Sequence, residues 1–405
     1  MINISLKSRI VSVLLLSIFL MALPNKVLSQ TTQPNLRIRA QSVLLMDAIS
    51  GQILYEQTPQ LKIAPASFVK ILTLYVAFDA IRAGDLKMDD VVTVSTKAWK
   101  TGGSKMFLKA GERARVEDLI KGIAVVSGND ACVALAENIS GIEETFVSKM
   151  NEKAKTLGLV NTQFQNSHGM PEKDQYTTAM DMAILARRYI EAHPETLSFH
   201  STLSFEHNGI LQRNRNVLLQ RDIGVDGLMT GHVEESGYHL FATARRDSWR
   251  LIAVIMGSKS LSSRAREAQD LLEFGFRHFS VVEAFKKGAS LDSIKVVRGK
   301  MSRVELIAAE DGRVVVTKGE EKLVSVNPEL PSFIAAPLLK GQRVGKVLIQ
   351  SGGKALREVD LLSSSDVPKG FPFFWLLIGG GILGLLLVGL IAFLRMFRSH
   401  RKRFG

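Results

Sequence analysis

The chain has 405 residues, 46% of them hydrophobic and 22% charged, which is enough apolar content for more than one core and excludes an intrinsically disordered protein. Its net charge of +13 is concentrated at the ends: three basic residues and no acid fall in residues 1–29, and five basic residues and no acid in 395–405. The surface between is ordinary and argues against a nucleic-acid partner, while a lone cysteine, Cys132, excludes an intramolecular disulfide.

Taken in chain order, Lys7 and Arg9 precede an uncharged apolar stretch from Ile10 to about Leu23 and a small residue at Ser29. This layout predicts a secretory signal peptide over 1–29. Apolar runs at 42–46 and 52–55 flank a turn at 47–51 and predict a β-hairpin; 238–244 and 250–256 flank Arg246-Asp247-Ser248 and predict another. Between them, helical periodicity covers 67–83, 116–139, 142–157 and 178–192. Strands at both ends with helices between predict an α+β domain over 30–280, built on one mixed sheet. Residues 281–365 change to short β-rich runs, which predicts a small all-β domain. A linker over 366–372 then leads to an uncharged stretch at 373–394, long enough to span a bilayer as a helix. The basic tail at 395–405 predicts that this end is cytoplasmic and that the body lies on the other side of the inner membrane.

Three short motifs carry the chemistry. Ser67 and Lys70 stand three residues apart on a predicted helix, where a desolvated amine can take the hydroxyl proton and make the serine nucleophilic. That spacing recurs at Ser351/Lys354 and Ser399/Lys402, so it has little weight alone. Ser127 and Asn129 follow an apolar run; they are placed either to relay a proton and hold a substrate amide or merely to cap a helix. The third motif is Met229-Thr230-Gly231-His232, just before the second hairpin. The histidines show no metal-ligand spacing, and neither a metal nor a cofactor is expected. Cys132 sits among small and apolar residues and reads as a buried hydrophobe.

In this order and spacing the motifs resemble those of penicillin-recognising serine acyl-transferases. Longer segments extend the likeness: Gly103 to Lys109, Ser127 to Cys132, His168-Gly169 with Gln175 to Met182, and Asn214-Arg215-Asn216. From about Gln41 to the end of the β-rich stretch, the chain resembles low-molecular-weight penicillin-binding proteins, which are serine-type D-alanyl-D-alanine carboxypeptidases. The resemblance implies a β-lactamase/transpeptidase-like domain, a β-rich stalk and a C-terminal membrane attachment. It implies peptidoglycan stem peptides ending in D-Ala-D-Ala as substrates and β-lactams as covalent inhibitors. It also implies Ser67 as nucleophile, Lys70 as its base and Ser127 as a proton relay. Asn129 would hold the substrate amide, Thr230 and Arg215 would face its carboxylate, and the N–H groups of Ser67 and His232 would form the oxyanion hole, with Gly231 between them and Thr230. One position departs from the pattern: the family has lysine where this chain has Met229. A thioether cannot supply positive charge, so the sequence leaves an alternative open, a membrane-tethered paralogue that binds stem peptides or wall enzymes without turning substrate over.

Overall fold

A computed structural model describes residues 36–370 and the backbone of 373–401; the predicted signal peptide at 1–29 lies outside the described residues. The α+β domain is built on a five-stranded sheet. Its strands are β1 (Ser42–Asp47), β2 (Ile53–Gln57), β3 (Val225–Val233), β4 (Gly237–Arg246) and β5 (Trp249–Ser258), in the order β2-β1-β5-β4-β3. Both predicted hairpins form. The sheet is antiparallel throughout rather than mixed. Tight turns reverse β1 into β2, β3 into β4 and β4 into β5, and β1 then closes against β5 in the opposite sense. Asp47 joins the two hairpins: one carboxylate oxygen accepts from Ser50 N at 2.6 Å and the other from Trp249 Nε1 at 2.9 Å.

The longer helices are α1 (Val69–Ala83), α2 (Val116–Val126), α3 (Asn129–Ser140), α4 (Glu143–Thr156), α5 (Ala179–Ala192) and α6 (Leu261–His278). Residues 69–78 of α1 are all buried, so this helix is the centre of the domain and not an amphipathic cover. It ends at Gly84, whose φ of 84° suits a glycine after a helix. The periodic stretch at 116–139 is two helices: Ser127 adopts a left-handed φ of 60° and turns the chain between α2 and α3. Helix α6, absent from the periodicity reading, opens with a Ser260 capping box and packs across the sheet.

The all-β domain holds β6 (Phe279–Glu283), β7 (Ser290–Val297), β8 (Arg303–Ala308), β9 (Arg313–Thr317), β10 (Val324–Glu329), β11 (Ile334–Ala335), β12 (Arg343–Ser351) and β13 (Lys354–Ser363). They form a six-stranded sheet in the order β10-β12-β13-β8-β7-β11 and a β6-β9 pair around their own apolar core. Gln52 and Val315 exchange two hydrogen bonds between the domains, at 2.7 and 3.0 Å. Residues 366–370, predicted as linker, are stitched into this domain. Val367 pairs with Leu338, Lys369 with Gly299, and Gly370 N donates to Arg298 O at 2.8 Å. Buried Val367 gives this segment an apolar reason to stay.

The last helix, α7 (Phe373–Arg401), runs past the predicted boundary at 394 into the basic tail, where cations suit a helix C-terminus. Among the described residues no helix is long and apolar enough to cross a membrane, and the fold does not establish the span predicted at 373–394. Side chains of α7 are described only over 379–395, so part of that stretch lies outside them.

Candidate active site

Ser67 lies in a 3-10 turn, Ala66–Phe68, at the mouth of α1, next to edge strand β3. Ala66 itself takes a positive φ of 48°, and the neighbouring Gly169 is required by space. A Cβ on Gly169 would sit 1.8 Å from Ala66 O. Lys70 follows one turn later on α1. Its side chain is fully buried, with Nζ 2.9 Å from Ser67 Oγ and 2.6 Å from His168 O. Burial lowers the Lys70 amine to about 8, with Arg215 pushing the same way and Asp130 opposing.

Ser127 reaches the same oxygen from the other side. The left-handed turn between α2 and α3 points its hydroxyl into the site, and Ser127 Oγ donates to Ser67 Oγ at 2.9 Å. Asn129, at the start of α3, donates from Nδ2 to Gly102 O at 2.7 Å, and its N–H to Ser104 O at 2.7 Å. Buried Asp130 accepts from Met106 N and Leu108 N at 2.9 and 3.1 Å, fixing the 102–108 loop over the site. Neither side chain caps α3, whose N-terminal cap is Gly128.

A cavity of about 570 Å³ opens beside Ser67 and Ser127. Arg215, Thr230, His232 and Arg264 also line it. Arg215 is held by Nε to Val126 O at 3.0 Å, and His232 stacks on Tyr238 with ring centroids 4.0 Å apart. Thr230 and Gly231 lie with His232 on β3, and a Cβ on Gly231 would come 2.9 Å from the Ala66 side chain. Met229 is different. It is 2% exposed, belongs to the domain's hydrophobic core and does not line the cavity.

Two groups escaped the sequence reading. Arg264 on α6 is buried, donates to Gly231 O at 2.9 Å, and has its guanidinium pulled down to about 10 by burial, with Arg215 adding repulsion. The cavity therefore has two cations on its wall. Glu143, in the first turn of α4, is the other. It accepts from Ser167 N at 3.0 Å and Ser167 Oγ at 2.7 Å, and pairs with Lys97 at 3.0 Å. Burial pushes its carboxyl up, but the bonds from Ser167 and Lys97 outweigh this and hold it below the ordinary range. This clamp fixes the Ser167-His168 segment whose carbonyl grips Lys70. His168 is lowered to about 4 by burial and is neutral near pH 7. No spacing to a motif marks either residue; burial of a charged side chain is the only signal, and it appears with the fold. Cys132 is buried on α3 with its thiol pushed up to about 12 by burial, consistent with a small core residue.

An antiparallel sheet with a serine and lysine on its central helix, a second serine at a helix junction and a cationic cavity at the edge strand defines a serine acyl-transferase of the penicillin-recognising class. The comparisons with known proteins narrow the class. The family model for D-alanyl-D-alanine carboxypeptidase, peptidase S11, matches residues 28–260, and the model for the penicillin-binding protein 5 C-terminal domain matches 279–369. The chain belongs to the peptidase S11 family. The D-alanyl-D-alanine carboxypeptidase DacC of Escherichia coli is 39% identical over 361 residues, covering 87% of this chain and 90% of its own. Penicillin-binding protein 5 from Haemophilus influenzae has a solved structure that superposes with a TM-score of 0.80 at 39% identity, covering 84% of this chain and 99% of its own. Penicillin-binding protein D2 from Listeria monocytogenes, solved in the ampicillin-bound form, matches 60% of this chain and 100% of its own at 28% identity and a TM-score of 0.54.

Proposed function

We infer that this chain is a serine D-alanyl-D-alanine carboxypeptidase that removes the terminal D-alanine of peptidoglycan stem peptides and is acylated by β-lactams. The observation that carries the reading is the meeting of Lys70 and Ser127 on one oxygen, Ser67 Oγ, each at 2.9 Å. Neutral Lys70 takes the proton of Ser67 as Oγ attacks the carbonyl carbon of the penultimate D-alanine. Ser67 and His232 supply backbone N–H groups to the oxygen that becomes negative. As the C–N bond breaks, Ser127 passes its proton to the departing D-alanine nitrogen and is reprotonated by Lys70, which gives up the proton taken from Ser67. Water then attacks the acyl carbon as Lys70 takes its proton, and collapse of the intermediate breaks the C–O bond while Lys70 returns that proton to Ser67 Oγ. Asn129 holds the peptide amide.

The terminal carboxylate is placed against Thr230, Arg215 and Arg264. Two guanidiniums on that wall supply positive charge that Met229 cannot. The non-catalytic alternative rests on Met229 alone and draws no support from the comparisons. Release of D-alanine from a diacetyl-Lys-D-Ala-D-Ala peptide tests the reading. The chain should release one equivalent, Ser67→Ala should release none, and inactivity of the wild type would overturn it.

For location, we propose a signal peptide at 1–29 and anchoring by the uncharged stretch at 373–394 in the inner membrane, with the body periplasmic and the tail at 395–405 cytoplasmic. The support is the run without charge followed by five basic residues. A periplasm-dependent reporter fused after Gly405 should be silent; an active reporter would reverse the orientation.

A further inference from the structure

The end of the all-β domain from which the chain leaves for α7 is laced together from three loops. Lys300 N donates to Pro368 O at 3.0 Å, Gly370 N to Arg298 O at 2.8 Å, and Lys340 N to the Asp366 carboxylate at 2.7 Å. Large apolar side chains stand on it in the open, Met301 at 46% and Leu339 at 65% exposure. Around them Arg298, Lys300, Lys340 and Lys369 are all exposed. Their side chains make no ion pair among the described residues. The acid in this group, Asp366, is engaged by a backbone N–H. Exposed apolar groups ringed by long basic side chains match a surface that offers both acyl chains and negative headgroups.

The covalent path adds a second argument. Gly370 is fixed to this end and Phe373 begins α7 three residues later, a reach of at most about 10 Å. The first residue of α7 therefore lies within about that distance of Arg298, and a bilayer that takes the start of the helix is brought to this end of the domain. We propose that this end of the domain is a bilayer-contact surface, with Met301 and Leu339 entering the interfacial layer and Arg298, Lys300, Lys340 and Lys369 taking anionic headgroups. The proposal rests on the anchoring of α7 proposed above. It gives the stalk a fixed footing on the membrane.

The test uses the full chain in vesicles of phosphatidylglycerol and phosphatidylcholine that contain a doxyl-labelled quencher lipid. Met301→Cys, Leu339→Cys and a control, Val160→Cys, are labelled singly with bimane; Val160 is 83% exposed on the other domain, and native Cys132 is buried and does not take the label. Quenching at 301 and 339 should exceed that at 160 by at least about twofold. The double change Lys300→Glu with Lys340→Glu should remove most of the excess. If the chain floats with the vesicles but 301 and 339 quench no more than 160, the contact surface is wrong and the anchor stands. Shielding of 301 and 339 against a second copy, with no lipid quenching, also overturns it. A chain that does not float with the vesicles removes the anchor, and this surface with it.

Discussion

Ser127 and Ser67, sixty residues apart in sequence, share a hydrogen bond of 2.9 Å. The left-handed backbone of Ser127 is what brings them together: a right-handed φ there would continue α2 and carry the hydroxyl elsewhere. Ser127→Ala keeps the turn and removes the relay. Acylation by penicillin should fall about 10- to 1000-fold while the thermal midpoint changes little. Stopped-flow acylation with calorimetry checks both, and unchanged acylation would remove Ser127 from the proton path.

Lys70 sets a pH dependence. Its amine is lowered to about 8 chiefly by burial, so the neutral form that can act as a base grows as pH rises through that value. The acylation rate should climb about tenfold per pH unit below about 8 and level off above it. Because Arg215 pushes the amine down, Arg215→Ala should move the midpoint upward. A midpoint unmoved in Arg215→Ala would mean that Arg215 takes no part in tuning the amine.

The cavity wall carries the third prediction. Arg215→Ala should cost about 10- to 100-fold in kcat/KM on a peptide with a free terminal carboxylate, for loss of a charge-assisted contact of about 1.5 to 3 kcal/mol, and less on its amide. With Arg215 and Arg264 both present, Met229→Lys should gain less than about tenfold. Because Met229 is buried in the core and does not line the cavity, the same change should gain no more in the Arg215→Ala background, and the two effects should add. A gain of about a hundredfold in the native background would show that the arginines do not replace the lysine.

Glu143 clamps the segment that holds Lys70. Glu143→Ala leaves Ser167 N and Oγ without their acceptor in a buried place, at a cost of about 3 kcal/mol. The contribution of Lys97, which is half-exposed, is small by comparison. Since the Glu143 carboxyl is held below its ordinary value, this stabilisation is complete at neutral pH and fades only as pH falls through the carboxylate range. Denaturant titration at about pH 7 and about pH 3 should show the wild type and Glu143→Ala converging at the lower pH. A constant gap would deny the carboxylate its role.

The parts legible in the sequence were those set by local chemistry. Hairpins announced themselves by turn residues such as Gly51 and Asp247, and Ser67, Lys70, Ser127, Asn129 and Thr230 by order and spacing. Tertiary packing hid the remainder. Periodicity runs through 116–139 because both helices bury the same kind of residue; the chain breaks at Ser127, and Gly128 beside it is the one local sign of the turn. Arg264 reads as one more arginine on a polar, serine-led stretch until α6 lies against β4. Residues 366–370 look like a linker because only Val367 among them is a buried apolar anchor.

Every step of the proposed reaction passes through an acyl group on Ser67. The most direct measurement is mass spectrometry of the peptide that carries a fluorescent penicillin after incubation with the full chain in detergent. A single adduct is expected on Ser67, lost in Ser67→Ala and slowed in Lys70→Ala. An adduct on another residue, or none at saturating penicillin, would contradict it.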